Sequence, residues 1–410
     1  MNLSIYPFLV IFILLLPNKS FCQATEIIQK ISDKLVDEGF QNIGVATDNN
    51  TLIVQYENRR YRLEALALKQ VIGLVGTELP TEIDTLIVIT QQLNIPILTT
   101  TIPVASYQKS RQDTTSNNAI DFAKTIKVQQ KLPKSYATQT FANQNRGNYK
   151  FELEIEPELR LGLGGFPDPV VHQFNLLPTA HFYLWKGARA SFQTTLPIFN
   201  EFDIPEETFF RPRILQLEQR LRLPAQTYLY LTAGYFTENR YGGQAELGKY
   251  FWNGRLLLRA KAGYTGYATY VNEPEIAWQI TRPSYLDYQF GADYYFKKWN
   301  VIASAEYAKT LSDQHILRLS TMKYFNEVNI GFFVFRSERG NNFGFQCAIP
   351  LAPKKYFKPG FLSVRPSKHF RYTYYGTQKY VRQYFTKNAL RNSMRRLEPF
   401  FIQRQLAFGL

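Results

Sequence analysis

The sequence predicts a mainly β protein: a transmembrane antiparallel β-barrel of about 12–14 strands, preceded by a small periplasmic α+β domain. Three observations predict it. From Phe151 to Leu163 apolar residues (Phe151, Leu153, Ile155, Pro157, Leu159, Leu161, Leu163) alternate without a break with Glu152, Glu154, Glu156, Glu158, Arg160 and Gly162. A period of two is the strand period, and thirteen residues exceed the usual soluble strand of about 5–6 but suit a tilted strand crossing a bilayer. Similar segments, separated by turn residues, continue to about Pro350. The first 22 residues read as an export leader, and no later stretch of about 20 apolar residues offers a helical span.

In chain order, residues 1–22 hold a short apolar core, Phe8 to Pro17, then the polar Asn18-Lys19-Ser20. Cleavage after Cys22, leaving Gln23, is the first expectation. The rival is lipid attachment at Cys22, against which the bulky Phe21 argues. Residues 23–106 form the α+β domain. Ile27, Ile28, Ile31 and Leu35 recur at helical spacing over 24–38, and Gly39 supplies a stop. Strands 42–47 and 51–57 flank the turn Asp48-Asn49-Asn50. A second helix over 62–76 carries Leu63, Leu66, Val71 and Leu74, and strands follow at 86–90 and 95–103. Residues 107–147, rich in Ser, Thr, Asn, Gln and Lys, read as a polar linker with one strand or a loose arm.

Residues 148–350 carry the barrel. Leu215, Leu217, Leu221 and Leu223 alternate with Gln216, Glu218, Arg220 and Arg222; Leu256, Leu258, Ala260 and Ala262 with Arg259 and Lys261; Phe290, Ala292 and Tyr294 with Gly291 and Asp293. Asn253-Gly254, Lys297–Asn300 and Asn326-Glu327 mark turns. Aromatic clusters at strand ends, such as Tyr250-Phe251-Trp252 and Tyr324-Phe325, suit membrane girdles. A soluble β-sandwich or propeller is the rival. Single-chain bacterial barrels usually have an even strand number, so 12 or 14 is expected.

Residues 351–410 form a basic aromatic C-terminal segment. Thirteen Lys and Arg against one acid, Glu398, give it +12 of the chain's net +15. Residues 376–397 are expected to hold a helix, and Phe400 to Leu410 one more strand. Lys354, Lys355, Lys358, Arg365, Lys368, Arg371, Tyr374 and Tyr375 are candidates for contact with a glycan or an anionic surface, since cations meet anionic headgroups; a solvated cap bracing the barrel is the plainer alternative. An export leader argues against nucleic acid.

Glu152, Glu154, Glu156, Glu158, Arg160, Arg220, Arg222 and Lys261 are the candidate lumen-facing residues. Glutamates two apart share a face roughly 7 Å apart, which a glycosidase could use, but ordinary strand polarity accounts for them. His172, His181, His315 and His369 are scattered and Cys347 stands alone after the leader, so no metal site, triad or disulfide framework is expected. Gly162-Leu163-Gly164-Gly165 follows a strand, but Pro167 and Pro169 bar the helix a nucleotide site needs. No catalytic residue and no cofactor is expected.

The run Ala233-Gly234-Tyr235-Phe236-Thr237-Glu238-Asn239-Arg240-Tyr241-Gly242-Gly243-Gln244-Ala245-Glu246 resembles a hairpin of the YjbH/GfcD-type outer-membrane proteins of exopolysaccharide loci. Ile349-Pro350-Leu351 and Val364-Arg365-Pro366 through Phe370 and Tyr374 resemble the end of that barrel, so the likeness covers about residues 150–380. It implies an outer-membrane barrel with small periplasmic α/β domains, tied to export of a capsule-like polysaccharide. Typical members are considerably longer. The expectation is a non-catalytic outer-membrane barrel, its N-terminal domain periplasmic, assisting export or surface assembly of an exopolysaccharide. Its partners would be outer-membrane lipid, the polysaccharide and the export machinery. The alternatives are a general pore or protein-secretion accessory, and after them a barrel enzyme acting on lipid or glycan.

Overall fold

The computed structural model describes residues 19–112, 122–137, 139, 141–163, 169–202, 208–236, 239–271, 277–310, 313–338, 340–376 and 397–409. The leader core and most of the helix expected at 376–397 lie outside these residues.

The N-terminal unit follows the expected order. Helix α1 (Lys19–Glu38) is followed by β1 (Gln41–Asp48), β2 (Thr51–Glu57), α2 (Glu64–Gly76), β3 (Thr85–Gln92) and β4 (Ile95–Pro103). Gly39 stops α1 as its sequence position implies. It adopts φ +95°, its N–H donates to Val36 O and the next N–H, of Phe40, to Leu35 O, the left-handed cap that glycine enters without penalty. Strands β2 and β3 pair in parallel while β1–β2 and β3–β4 are antiparallel. A parallel pair needs a crossover, and α2 is that crossover. Ile31 and Leu35 of α1, Leu68, Val71, Ile72 and Val75 of α2, and Leu52, Val54 and Val88 of the sheet are buried together, each worth about 1.5–3 kcal/mol. The linker carries the one strand expected of it, β5 (Lys127–Gln129), which adds a fifth strand beside β4, and helix α3 (Val104–Gln112), which was not expected, follows β4.

The second sheet begins where the alternation begins. Strands β6 (Phe151–Leu163), β7 (Val170–Tyr183), β8 (Ala188–Asn200), β9 (Arg211–Leu223), β10 (Thr227–Phe236), β11 (Arg240–Phe251) and β12 (Leu256–Val271) pair antiparallel in sequence order. So do β14 (Tyr285–Phe296), β15 (Val301–Lys309), β16 (His315–Phe325), β17 (Val328–Ser337) and β18 (Gly340–Pro350). The short β13 (Ala277–Ile280) pairs only with the far end of β12. Turns at one end are short and use left-handed asparagines: Asn253, Asn300 and Asn326 have φ near +55°, a conformation asparagine tolerates.

The sheet extends past the expected limit at 350. β19 (Leu362–Pro366) pairs in parallel with β6, and β20 (His369–Tyr375) pairs antiparallel with β18. The two ends of the ladder are therefore successive pieces of one segment, joined through Ser367 and Lys368. They do not pair with each other. Among the described residues, twelve long strands alternate in direction, so a thirteenth position must run the same way as β6. β19, which runs the same way as β6, meets it in parallel, and the twelve long strands between 151 and 350 match the even number expected there.

Alternation sorts the two faces. On β17, Ile330, Phe332 and Val334 are exposed (Phe332 63%) while Phe333 and Phe335 are buried (Phe333 2%). Leu215, Leu217, Leu231, Leu247, Phe290, Leu319 and Phe343 also point outward. The inner face holds Glu218, Arg220, Arg259, Lys261, Asp287, Asp293 and Glu306, all buried. This inversion, apolar outside and charged inside, is opposite to a water-soluble sandwich and is the arrangement of a membrane barrel.

The last element corrects an expectation. Pro399–Gly409 is helix α4, not a strand. Its buried positions, Phe401, Ile402, Gln405 and Leu406, follow the helical period, and Pro399 occupies the first turn, where proline loses nothing.

Candidate functional site

The N-terminal unit closes the short-turn end of the second sheet. One apolar cluster runs from its core (Val54, Leu68, Ile97) into inward tyrosines of the strands (Tyr228, Tyr250, Tyr295, Tyr324) and on to Phe401 and Ile402 of α4. Phe400 stacks on Tyr295 with ring centres 3.5 Å apart. Polar contacts surround this cluster. Gly187 N–H donates to Leu93 O at the β3–β4 turn (2.8 Å), Tyr228 OH to Ile97 O (3.3 Å) and Asn253 to Val128 O (3.1 Å). Arg62 meets Glu327 (2.6 Å) and donates to Leu351 O. Arg59 lies 3.4 Å from the Tyr183 ring centre.

Lys355 ties the following loop to α1 through Glu38 (2.8 Å), which also accepts from Tyr61 and faces Arg60 at 3.6 Å. Burial alone would raise the Glu38 pKa, but the hydrogen bonds from Lys355 and Tyr61 and the charge of Arg60 hold it below the ordinary 4.5. A depressed carboxylate contributes stability above its unfolded value and loses it as pH falls through the folded one. Thermal unfolding of wild type and Glu38→Gln should therefore differ at pH 7, with wild type the more stable, and the difference should shrink below about pH 4.5. An undiminished difference at pH 3 would refute this.

Inside the sheet, register brings the charges together. Glu218 faces Arg189 directly across β8–β9 and pairs with it at 3.1 Å, and also accepts from Arg220. Glu158 receives both Arg213 nitrogens (2.8 and 2.6 Å) and Asn175. Arg259 pairs with Asp293 (3.0 Å) and Glu306 (3.3 Å). Gly291 separates Arg259 from Glu306 in register, and a Cβ there would lie 2.7 Å from the guanidinium. The glycine is what lets the arginine reach across β14.

Of the eight residues expected to face the interior, Glu152, Arg220 and Lys261 are buried on the inner face, Lys261 with Asp287 at 3.8 Å. Arg160 donates to Gln173 (2.9 Å), and Glu154 and Glu156 line an interior cavity. Arg222 goes further than expected: it leaves the strand wall and donates to Pro96 O (2.6 Å) and Gln130 O of the N-terminal unit.

The C-terminal candidates do not form one surface. Lys354 O accepts from Arg62 N–H, Lys355 and Lys358 face Glu38 and Asp37, Tyr374 stacks outside on Phe345, and Tyr375 packs inside on Phe333. Arg365, Lys368 and Arg371 line the interior. Residues 362–366 and 369–375 are strands whose side chains divide between two faces.

Sequence reasoning also misses one cluster. Glu152, Glu154 and His181 place ligand-type atoms within 4.8 Å of one another, since Glu152 and His181 are register partners. Arg365 Nη2 lies 2.8 Å from Glu152 and 2.5 Å from Glu154. The cation of this cluster is Arg365 of β19, so the carboxylates are already matched.

Two adjoining cavities of about 210 and 260 Å³ lie between the N-terminal unit and the inner face. The first reaches Glu57, Arg59, Arg62 and Glu64; the second extends along the strands past Thr179, Gln193 and Thr232.

The family model described as exopolysaccharide biosynthesis protein YbjH, of the YjbH family, matches residues 17–256. That match lies further N-terminal than the 150–380 of the hairpin resemblance and takes in the whole N-terminal unit. No curated protein matches the chain. Among solved structures, a loop-L8 deletion mutant of OmpT, an outer membrane protein of Vibrio cholerae, is 8% identical, with 48% of this chain and 85% of that one covered and a TM-score of 0.27. OccK2 (OpdF) of Pseudomonas aeruginosa, in complex with glucuronate, is 14% identical, with 48% and 59% covered and a TM-score of 0.27. Superpositions this loose carry no argument. The family match spans more than half of the sequence, and the chain belongs to the YjbH family of exopolysaccharide biosynthesis proteins.

Proposed function

We propose that the protein is an outer-membrane β-barrel, closed by the 362–375 segment and plugged from the periplasm by its own N-terminal unit, that assists export or surface assembly of an exopolysaccharide without catalysing a reaction. The observation that carries this reading is the pairing of a greasy outer face with a charged interior sealed at the short-turn end. Membrane barrels carry short turns on the periplasmic side and longer loops outside, which supports a periplasmic N-terminal unit. The interior carboxylates support a scaffold rather than an enzyme: Glu152, Glu154, Glu158 and Glu218 are each held by arginine. The family supports the polysaccharide.

Deletion of the gene tests this. Polymer should still be made and should accumulate inside the cell, with little on the surface. Loss of the polymer from every compartment, or a normal surface coat, would refute an export role.

A further inference from the structure

The two interior cavities share one wall: Gln92, Arg189, Arg220, Lys368, His369 and Arg371. Four of these six side chains are Lys or Arg. The acids around them are largely taken. Glu57 is held by Arg59, Glu152 and Glu154 by Arg365, and Glu218 by Arg189 and Arg220. Glu64 accepts from Tyr56 and Asn58, and burial raises its pKa against the pull of those hydrogen bonds and of the Lys368 charge. Glu156 is the remaining carboxylate on the two walls.

The cations are not all spent. Among the described residues, Lys368 and Arg371 have no carboxylate at ion-pair distance. Arg220 Nη1 and Arg189 Nε are buried N–H groups without a hydrogen-bond partner, and so is the Thr232 hydroxyl on the same cavity. A buried unmet donor costs about 1–3 kcal/mol, more when charged, and native proteins keep few of them without a use. Arg371 is exposed while lining both cavities, so the wall is open to solvent. Each cavity greatly exceeds the roughly 10–15 Å³ that one water needs.

We infer that this wall is an anion subsite that takes the carboxylate of an acidic sugar residue in the exported polysaccharide. The inference rests on the export reading and adds the substrate class: an acidic glycan rather than a neutral one. Guanidinium forks match carboxylates in a planar, two-pronged geometry. Arg371 supplies a fork, Arg220 adds its one unmet donor, Nη1, while its Nε stays on Glu218, Lys368 adds charge, and Thr232 supplies a hydroxyl for a neighbouring sugar oxygen.

Calorimetric titration of the full-length protein in detergent at low salt tests it, with hexagalacturonate, maltohexaose and inorganic phosphate as probes. Hexagalacturonate should bind and maltohexaose should not. Lys368→Gln with Arg371→Gln should weaken binding roughly ten- to a hundredfold, as expected for lost hydrogen bonds to a charged group, and Arg371→Lys should recover part of the affinity in a folded protein. Equal binding of the neutral oligomer, or unchanged affinity in the double variant, overturns the subsite. Binding of phosphate with none of hexagalacturonate overturns its assignment to a glycan. Failure here with a positive gene-deletion result would leave the export role standing for a different polymer; a negative deletion result would remove the export role itself.

Discussion

Replacing Arg259 with leucine is expected to destabilise the protein by about 3–5 kcal/mol, the usual cost of breaking a buried ion pair from one side. The guanidinium is 3% exposed and serves two carboxylates, Asp293 and Glu306, each 5% exposed. Water cannot take over, because the outer face of these strands is apolar and the inner face is packed. The same logic predicts rescue. Arg259→Leu combined with Asp293→Leu and Glu306→Met removes the stranded charges and should recover much of the loss, since replacing a buried ion group by well-packed hydrophobic residues of similar volume is often close to neutral. Urea unfolding in detergent micelles, followed by tryptophan fluorescence and by heat-dependent gel mobility, would measure both. A single variant within 1 kcal/mol of wild type would show that the three residues do not act as a unit.

The second large effect concerns the plug. The wild-type chain should pass little current in planar bilayers, because the N-terminal unit fills the short-turn end. Arg62→Ala with Arg222→Ala removes the ion pair to Glu327 and the donors to Leu351 O, Pro96 O and Gln130 O. These are contacts between the N-terminal unit and the strands or the loop that follows them, and the apolar core of α1, α2 and the first sheet does not depend on them. Channel openings should therefore become frequent, by roughly tenfold or more if each lost contact is worth about 1 kcal/mol or more. Phe401→Asp, which places a charge in the cluster shared by α4 and Tyr324, should act in the same direction. A wild type that already conducts like an open porin, or variants that stay closed, would remove the plug.

Much of this architecture was legible because strand periodicity is a local property. Phe151–Leu163 was read to the residue, and Gly39 marked the end of α1 through its own φ requirement. What escaped depends on register or on distant partners. Arg213 belongs to Glu158, and Arg189 to Glu218, only because β6–β9 pair as they do. Arg222 looked like one more wall residue, since nothing near it in sequence reveals that Pro96 lies within reach. The helical α4 was misread because Phe400-Phe401-Ile402 and Leu406-Ala407-Phe408 fit either period, and only the Pro399 start favours the helix. The dense charge of the C-terminal stretch does not show in sequence that β19 and β20 send alternate side chains to opposite faces.

The junction between β19 and β6 also has a temporal meaning. Arg365 and Glu152 are 213 positions apart, so this ion pair closes a long loop and carries the entropic cost of doing so. Until it closes, β6 presents an unpaired edge, the kind of template on which chains aggregate. Long-range strand pairing is also the slow part of β folding. Pairing of β19 with β6 is therefore expected among the late steps of folding, with Arg365 and the two glutamates at the contact. A chain that ends at Pro350 would keep every hairpin and would leave Phe151–Ile155 of β6 and the outer edge of β18 without the partners they have here.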